Sequence, residues 1–441
     1  MSGVRVPRWW WAYDAALAVI GLIGLPYYYT VRRPGAPGLA QRFGRYPAAL
    51  RAALAQGAPP IWVHAVSVGE VVAALPLIAA LKARAPGRRW VVSTTTPTGQ
   101  RLARERLPED LVLYVPWDLT GPVRRAIAAI RPRLFLGLET ELWPNLFWRL
   151  SEAGVPIAVV NGRISTRSFR RYQRIRRWIA PALAQVRLWS MQTVGDAERI
   201  LALGVDPSRV HVVGNLKADA ALPSMGAAQL QAWRGRLGLR DGTPLWIAGS
   251  THPGEEAIVL QAFRQVRVDG HPVRLLLAPR HPERVGEVER VIRQAGLTPR
   301  RWSAAQGEAW EPEAVMILDT VGELAHLYAT ADLVFVGGSL VPRGGHNLLE
   351  PAQWAKPMLS GPAVQNFQSI ADLLEAGGGL VLVQDAETLA AQVRQWVAHP
   401  ELRRQIGERA RAVVAAQAGS TAKTVDLLSR VVGSALVTHA S

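Results

Sequence analysis

The sequence predicts an α/β protein built from two doubly wound parallel sheets, and three observations support this fold class. The chain has 441 residues, more than one hydrophobic core normally serves. Its composition, 49% hydrophobic and 19% charged, is typical of folded globular proteins. Short apolar runs alternate along the chain with amphipathic stretches, which indicates strands of a parallel sheet connected by helices.

Two groups of five strands are predicted. The first group is 61–66, 91–95, 134–139, 157–161 and 210–214, and the second is 245–250, 274–279, 315–319, 333–338 and 380–383. Residues 218–229 form the predicted linker between them. The predicted domains are an N-terminal segment 1–36, a first domain 37–222, a second domain 223–420 and a C-terminal helix or tail 421–441. Two such domains create a cleft at the carboxyl ends of their strands, where ligands of this architecture bind.

The N-terminal segment is predicted to be a membrane anchor. Residues 9–29 are mostly apolar, with aromatic residues at both ends, and about twenty helical residues span a bilayer core. Asp14 and Pro26 are atypical of such a segment. A signal peptide is the alternative, but no small-residue cleavage site follows. More arginines follow the segment than precede it, so the body of the protein is expected on the cytoplasmic side.

Composition limits the kinds of ligand and catalytic group that the protein can use. The formal charge of +17 implies attraction to polyanions, which include nucleic acid, anionic lipid headgroups and phosphorylated ligands. The absence of cysteine excludes disulfides, thiolate metal sites and a cysteine nucleophile. Only four of the 51 basic residues are lysines, so a lysine near a candidate site is of interest.

Two acidic motifs stand at strand ends of the first domain. Glu70, in SVGE, could take a proton from an acceptor hydroxyl, or it could be an ordinary carboxylate of a first helical turn. Glu139 ends a strand and Glu141 begins the next helix. This pair could hold sugar hydroxyls or balance a developing cation, and it could equally cap the helix.

Two basic features complete the first domain. Lys217, in GNLK, follows a strand, and its ammonium group could neutralise a carboxylate or phosphate of a donor. A surface lysine is the alternative. Residues 161–178 contain seven arginines among aromatic residues, a pattern compatible with a solvated helix or with single-stranded nucleic acid. Together with an N-terminal anchor, it favours anionic lipid headgroups or a phosphorylated glycolipid.

The second domain carries turns at consecutive predicted strand ends. They are Gly249-Ser250-Thr251, Arg280 with His281, Val321-Gly322-Glu323, and the glycine pairs Gly337-Gly338 and Gly344-Gly345 before a helix predicted to begin near Asn347. Glycines permit close backbone approach, and a helix N-terminus binds phosphate. Glu350 could accept hydrogen bonds from ribose hydroxyls. The series predicts a nucleotide-sugar site.

No metal site is predicted. The sequence contains no HExxH, CxxC or Asp-x-Asp element, and His252, His281 and His346 are widely spaced along the chain.

Seven motifs together resemble the 3-deoxy-D-manno-octulosonic acid (Kdo) transferases of Gram-negative lipopolysaccharide synthesis. They are SVGE, ETELWPN, NGRIS, GNLK, PRHPER, VGEL and GGHNLLEP, in this order. The resemblance implies a GT-B fold whose first domain receives the lipid A precursor and whose second domain holds the CMP of CMP-Kdo. It also implies a bacterial inner-membrane enzyme that needs no metal or other cofactor.

The resemblance also assigns roles to single residues. It implies that Glu70 is the general base of an inverting displacement. It also implies that Glu139 and Lys217 occupy positions associated with stabilisation of the transition state. The implied nucleotide contacts are Arg280, His281, Val321, Gly322, Glu323, Asn347, Leu348, Leu349 and Glu350. Leu348 stands where the family often has proline.

Two rival functions stay open at this point. One is a GT-B transferase that uses another nucleotide sugar on a lipid, which would bind UDP rather than CMP. The other is a membrane-tethered nucleic-acid-binding protein, whose affinity would fall steeply with salt and survive loss of Glu70. Nucleic acid binding is not expected, because it explains neither the glycine turns nor the acidic motifs.

Overall fold

The computed structural model of the protein describes residues 10–27, 37–139, 142–219, 225–239, 242–305, 307 and 309–436. The chain divides into two compact units, Met1–Ala220 with Gln417–Ser441, and Ala221–Ala416. Residues 220–224 of the predicted linker lie outside the described residues.

The first unit contains a seven-stranded parallel sheet in the order β3-β2-β1-β4-β5-β6-β7. Its strands are β1 (Ile61–His64), β2 (Trp90–Thr94), β3 (Leu111–Tyr114), β4 (Leu134–Leu138), β5 (Ile157–Gly162), β6 (Leu188–Met191) and β7 (Val210–Val212). Its helices are α1 (Trp10–Tyr27), α2 (Leu39–Arg42), α3 (Ala48–Ala55), α4 (Val68–Arg84), α5 (Pro97–Arg106), α6 (Thr120–Ile130), α7 (Pro144–Glu152), α8 (Thr166–Arg174), α9 (Arg176–Leu183) and α10 (Val194–Ala202).

Apolar clusters cover both faces of this sheet. Ile61 and Val63 join the cluster formed with α4, whereas Trp62 between them joins the cluster formed with α6 and α7. Alternate residues of a strand point to opposite faces, so β1 is buried on both sides. This burial explains why the strands read as apolar runs rather than as alternating patterns.

Helix α1 covers most of the predicted anchor. Of the predicted residues 9–29, positions 9, 28 and 29 lie outside the described residues. Neither α1 nor any other helix of the described segments has the length and apolar character needed to cross a membrane. The membrane anchor therefore stays a prediction.

The second unit contains another seven-stranded parallel sheet, in the order β10-β11-β9-β8-β12-β13-β14. Its strands are β8 (Leu245–Thr251), β9 (Arg274–Pro279), β10 (Thr298–Arg301), β11 (Ala314–Ile317), β12 (Leu333–Val336), β13 (Met358–Ser360) and β14 (Leu380–Leu382). Its helices are α11 (Ala227–Arg236), α12 (Glu255–Val268), α13 (Val285–Gln294), α14 (Leu324–Thr330), α15 (Leu349–Gln353), α16 (Gln368–Ala376), α17 (Ala386–Ala398) and α18 (Pro400–Ala416).

Two parallel α/β sheets confirm the predicted fold class, and all ten predicted strands coincide with strands of the structure. Four strands were missed, namely β3, β6, β10 and β13. Strand β10 has the sequence TPRR at the edge of its sheet, where no apolar run is needed. The other three are only three or four residues long, too short for a periodicity to stand out.

The final helix, α19 (Ser420–Leu436), returns to the first unit. Its buried residues Val425, Leu428 and Val432 join the cluster on the α4 face of the first sheet. The predicted second domain ended at 420 and a tail began at 421. The structure instead assigns the whole segment from 417 to the first unit, because the apolar stripe of α19 is buried there.

We expect Leu428→Ala to lower the free energy of unfolding by about 2–5 kcal/mol, because it leaves a cavity in a packed core. Leu428 is fully buried, whereas Val431 on the same helix is 37% exposed. Val431→Ala, the matched control, should change the free energy by no more than about 0.5 kcal/mol. Urea unfolding followed by circular dichroism measures both. Equal effects of the two changes would contradict the packing of α19 on this core.

Candidate active site

In the first unit the strand order reverses between β1 and β4, and ligands of doubly wound sheets bind outside the carboxyl ends of strands at such a point. Glu70 follows β1 here, as the third residue of α4. Its carboxylate accepts hydrogen bonds from the Val66 N–H (2.8 Å) and the Ser67 hydroxyl (3.3 Å). These are the contacts of a helix-start carboxylate, yet the residue is buried, with 7% of its surface exposed.

Glu139 and Lys217 meet in an ion pair at the same edge of the sheet. The Lys217 Nζ donates to the Glu139 Oε1 at 2.7 Å, and both side chains are mostly shielded from water. Glu139 directly follows β4 and has a φ of 55°, a backbone conformation that is uncommon outside glycine and often found at functional sites. Glu141, the other carboxylate of this motif, lies outside the described residues.

The ammonium group of Lys217 also faces the SVGE turn. A Cβ atom added to Gly69 would lie 3.8 Å from the Lys217 Nζ, so the lysine reaches the first turn of α4. The structure thus brings Glu70, Glu139 and Lys217, which are separated by up to 147 positions, to one edge of one sheet. Their catalytic roles stay predictions.

Asn161 positions Lys217, a role that sequence reasoning missed. Its side-chain Oδ1 accepts the Leu216 N–H at 2.9 Å, and the residue is fully buried at the end of β5 with a φ of 55°. On the other side of the same turn, Asp219 accepts the N–H groups of Gly419 and Thr421 at the start of α19. The asparagine was visible in NGRIS, but the sequence analysis interpreted only the arginines and aromatic residues of that segment.

His64, at the end of β1, contacts residues on both sides of this strand end. Its Nδ1 lies 2.9 Å from the Ser93 hydroxyl oxygen and 3.1 Å from the Ser93 carbonyl oxygen. Its ring packs edge-on against Trp143, which precedes α7, with centroids 5.6 Å apart. The buried Nε2 has no hydrogen-bond partner among the described residues.

Acid is therefore expected to destabilise the fold through His64. Burial lowers the pKa of His64 from 6.5 to about 4, so between these values the unfolded chain binds a proton that the folded chain does not. Above about pH 6.5 neutral His64 does not reduce the free energy of unfolding. As the pH falls from 6.5 towards 4, the free energy of unfolding decreases by up to about 3 kcal/mol. Urea unfolding at several pH values should show a flatter pH dependence for His64→Gln than for the wild type. His399→Gln, at an exposed position, is the control for the loss of one histidine.

In the second unit, the first glycine pair does not form a free anion site. The buried Glu255 carboxylate accepts the N–H groups of Gly338 (2.7 Å), Ser339 (2.9 Å) and Leu340 (2.9 Å). These amides are the donors that a phosphate would need, and an internal carboxylate already occupies them. Gly249, likewise, is required for packing, since an added Cβ would lie 2.0 Å from the Tyr328 hydroxyl.

Three histidines converge where the strand order of the second sheet reverses, between β8 and β12. The Nε2 atoms of His252 and His346 are 2.9 Å apart, and the His281 ring lies 5.9 Å from that of His252. Burial lowers the pKa of His346 to about 4, and it also lowers the pKa of His252. Their wide spacing in sequence concealed this cluster. Within the described residues, no group of three or more His, Asp or Glu side chains could hold a metal ion.

The predicted nucleotide residues differ in what they offer a ligand. Arg280 and His281 are exposed after β9, while Arg284 of the same motif pairs with the buried Glu256 at 2.9 Å. Val321 is exposed beyond β11. Glu323, two residues on, accepts the Trp302 indole N–H at 3.0 Å and lies 3.8 Å from an Arg236 nitrogen.

The helix predicted near Asn347 begins at Leu349 and has five residues. The Asn347 Oδ1 already accepts the Leu349 N–H, one of the first amides of this helix, at 3.1 Å. Leu348 and Leu349 are buried, so only their backbone could contact a ligand. Glu350 accepts the Asn347 amide at 3.0 Å, and burial raises the pKa of its carboxyl group, although Arg280 opposes this shift.

The basic segment forms α8 and α9 on the first unit. Arg167, Arg170, Arg171 and Arg174 line an open cavity of about 790 Å³ along α8. Ile175 and Trp178 beside them are 42% and 50% exposed. The segment thus presents cationic and apolar groups side by side to solvent.

Comparisons with known proteins show which family the sequence resembles. A family model described as 3-deoxy-D-manno-octulosonic-acid transferase matches residues 37–220, and a glycosyl transferase-like model matches residues 288–429. A 3-deoxy-D-manno-octulosonic acid transferase of Bordetella pertussis is 36% identical over 93% of this chain and 97% of its own length. One of Haemophilus influenzae is 34% identical over 88% of this chain and 90% of its own length.

Solved structures share the fold at low sequence identity. A glycosyltransferase from Rickettsia africae is 11% identical, with a TM-score of 0.56 over 85% of this chain and 99% of its own. A UDP-GlcNAc 2-epimerase from Neisseria meningitidis, bound to UDP-GlcNAc, is 12% identical, with a TM-score of 0.57 over 84% of this chain and 100% of its own.

Proposed function

The chain belongs to the 3-deoxy-D-manno-octulosonic acid transferase family, and from this premise we propose that it moves Kdo from CMP-Kdo onto a lipid A precursor with inversion at the anomeric carbon. The observation that carries the proposal is the meeting of Glu70, Glu139 and Lys217 at the point where the first sheet reverses its strand order. A glycosyltransferase needs a base for the acceptor hydroxyl and charge to match the leaving donor.

The proposed step is a single displacement. Glu70 takes the proton of the acceptor hydroxyl while the acceptor oxygen bonds to the ketose carbon of Kdo. The bond from that carbon to the phosphate oxygen breaks, and CMP leaves with the electron pair. The burial of Glu70 supports its role as base, because a carboxylate shielded from water meets less competition from solvent for the acceptor proton.

Lys217 serves the donor in this mechanism. Its ammonium group compensates the carboxylate of Kdo or the charge that develops on the departing phosphate, and Glu139 holds it in place. The uncommon backbone conformation of Glu139 supports such a fixed geometry, since strained residues persist where surrounding contacts hold them.

The second unit is proposed to hold CMP at the reversal between β8 and β12. Exposed Arg280 offers a cation for phosphate, and the loop Val321–Glu323 offers backbone groups at the neighbouring strand end. The amides of Gly338, Ser339 and Leu340 are bound to Glu255. Side chains, rather than these three amides, are therefore proposed to contact the phosphate. No metal or other cofactor is needed for this chemistry.

The α8–α9 face is proposed to lie on the anionic surface of the bacterial inner membrane, with both units on its cytoplasmic side. Arginines beside an exposed tryptophan suit the headgroup region. A large fraction of the protein should sediment with phosphatidylglycerol vesicles, and this fraction should decrease at high salt. A smaller fraction should sediment with neutral vesicles. Equal retention by both kinds of vesicle would contradict the electrostatic part of this proposal.

Transfer by the purified protein is the direct test of function. The protein is supplied with CMP-Kdo, formed in situ, and a tetraacylated lipid A precursor, and mass spectrometry follows the lipid. A mass gain of one or more Kdo units supports the proposal and counts the units. CMP binding without any gain would favour another acceptor, preference for UDP would favour another donor, and salt-sensitive RNA binding without nucleotide binding would favour the nucleic-acid alternative.

A further inference from the structure

The start of α1 is joined to the body of the first unit by a polar cluster centred on Asn145. The Trp10 indole N–H donates to the Asn145 Oδ1 at 2.5 Å, and the Asn145 Nδ2 donates to the Asp14 Oδ1 at 2.7 Å and to the Asp118 carbonyl oxygen at 2.5 Å. Asn145 is fully buried, and Trp10 is 2% exposed. A helix that served only as a membrane anchor would need none of these contacts.

The same cluster fixes the beginning of α7. The Asp118 carboxylate accepts the N–H groups of Asn145 (3.1 Å) and Leu146 (2.8 Å), two of the first amides of α7, which have no partner within the helix. The Tyr13 hydroxyl donates to the same carboxylate at 3.2 Å. Three residues of α1 and the loop residue Asp118 therefore hold the first turn of α7 in place.

The start of α7 is close in sequence to the ion pair of the proposed active site. Only six positions separate Asn145 from Glu139, and Trp143 between them packs on His64, which precedes the Glu70 turn. A displacement of Asn145 would shift Trp143 against His64 and so reach the Glu70 turn, and displacements of about 1 Å at a reacting site can cost about 100-fold in rate.

We propose that Trp10 and Asp14 of α1 are positioning residues, which hold Asn145 and thereby set the place of Trp143 against His64, ahead of the turn that carries Glu70. This inference rests on the proposed function, in which Glu70 takes the proton of the acceptor hydroxyl. Helix α1 is then part of the catalytic architecture of the first unit, whatever else it contacts.

Four variants of the full-length protein in detergent test this inference. Trp10→Phe keeps the ring that packs on Trp148 but removes the N–H donor. Asp14→Ala removes the acceptor, and Asp14→Asn retains an oxygen at the same place. Trp11→Phe is the control, because Trp11 is the neighbouring residue and is 73% exposed.

Positioning predicts a selective effect on the chemical step. Trp10→Phe and Asp14→Ala should lower kcat about 10-fold to 100-fold with little change in the KM for CMP-Kdo. Asp14→Asn should recover most of the rate, and Trp11→Phe should match the wild type. A merely structural role would lower the active fraction and the melting temperature without this division between kcat and KM.

Amide hydrogen exchange supplies a readout that does not depend on activity. Exchange should accelerate in residues 142–147 of Trp10→Phe and Asp14→Ala, and it should stay at the wild-type rate in 188–212, which include β6 and β7. If kcat and exchange of both variants equal those of Trp11→Phe, the inference is overturned. If the wild type transfers no Kdo while exchange responds as expected, the contacts of Trp10 and Asp14 still hold the start of α7. The proposed function, and with it the catalytic role of these contacts, is then rejected.

Discussion

Glu70→Gln is expected to reduce Kdo transfer by about 10²–10⁴-fold while leaving CMP binding unchanged, because general base catalysis contributes a factor of this size. The amide of Gln can still accept the Val66 N–H that the carboxylate accepts now, so the first turn of α4 should keep its structure. The amide cannot take a proton at neutral pH. Initial rates and calorimetric titration with CMP measure the two halves of this prediction.

The control for this change is a carboxylate of the same structural kind with no proposed chemistry. Asp196 is buried in the first turn of α10 and accepts the Thr193 hydroxyl at 2.6 Å and the Ile164 N–H at 2.9 Å. Asp196→Asn should cost stability without a matching loss of kcat in the folded fraction. Substantial activity in Glu70→Gln, or an equal loss of kcat in Asp196→Asn, would remove Glu70 from the role of base.

Lys217→Met is expected to lower kcat by about 10²–10³-fold, the usual effect of removing one group that stabilises developing negative charge. The change also leaves the Glu139 carboxylate without its ion-pair partner at 2.7 Å. Glu139→Gln should be less harmful, because an amide oxygen can still accept from the lysine. Steady-state rates of both variants at saturating CMP-Kdo measure these effects.

A double-mutant cycle separates the two roles of this pair. If Glu139 acts by holding Lys217, the double variant should be no slower than Lys217→Met alone, since residues that act as a unit are not additive. The control is Lys82→Met, which removes another lysine from an ion pair, with Asp110 at 2.7 Å. Full additivity of the Glu139 and Lys217 effects would show that each residue acts on the substrate separately.

Much of the fold could be predicted from the sequence because its signals are local. Strands buried on both faces, such as β1 and β4, must be apolar along their whole length, so they stand out as runs bounded by turn residues. The order in which the strands pair is not written locally. Edge strand β10 escaped prediction because an edge requires no apolar run.

The candidate site divides in the same way. Motifs at strand ends identified Glu70, Glu139 and Lys217, since parallel strands bring their carboxyl ends to one edge of a sheet. The first glycine pair, Gly337-Gly338, shows the limit of such motifs, because a sequence indicates that a turn exposes amides but not that Glu255 already binds them. Only the packed structure shows which donor meets which acceptor.

By itself the sequence determined the α/β class, the motifs that resemble a transferase family and the residue types available for its chemistry. The tertiary structure decided which of those residues meet. It returned α19 to the first unit, joined His252 to His346, and attached α1 to Asn145. The physical reason is range, because propensity and periodicity act over a few residues, whereas hydrogen bonds and apolar contacts of the folded chain join positions that the sequence separates by 94 residues or more.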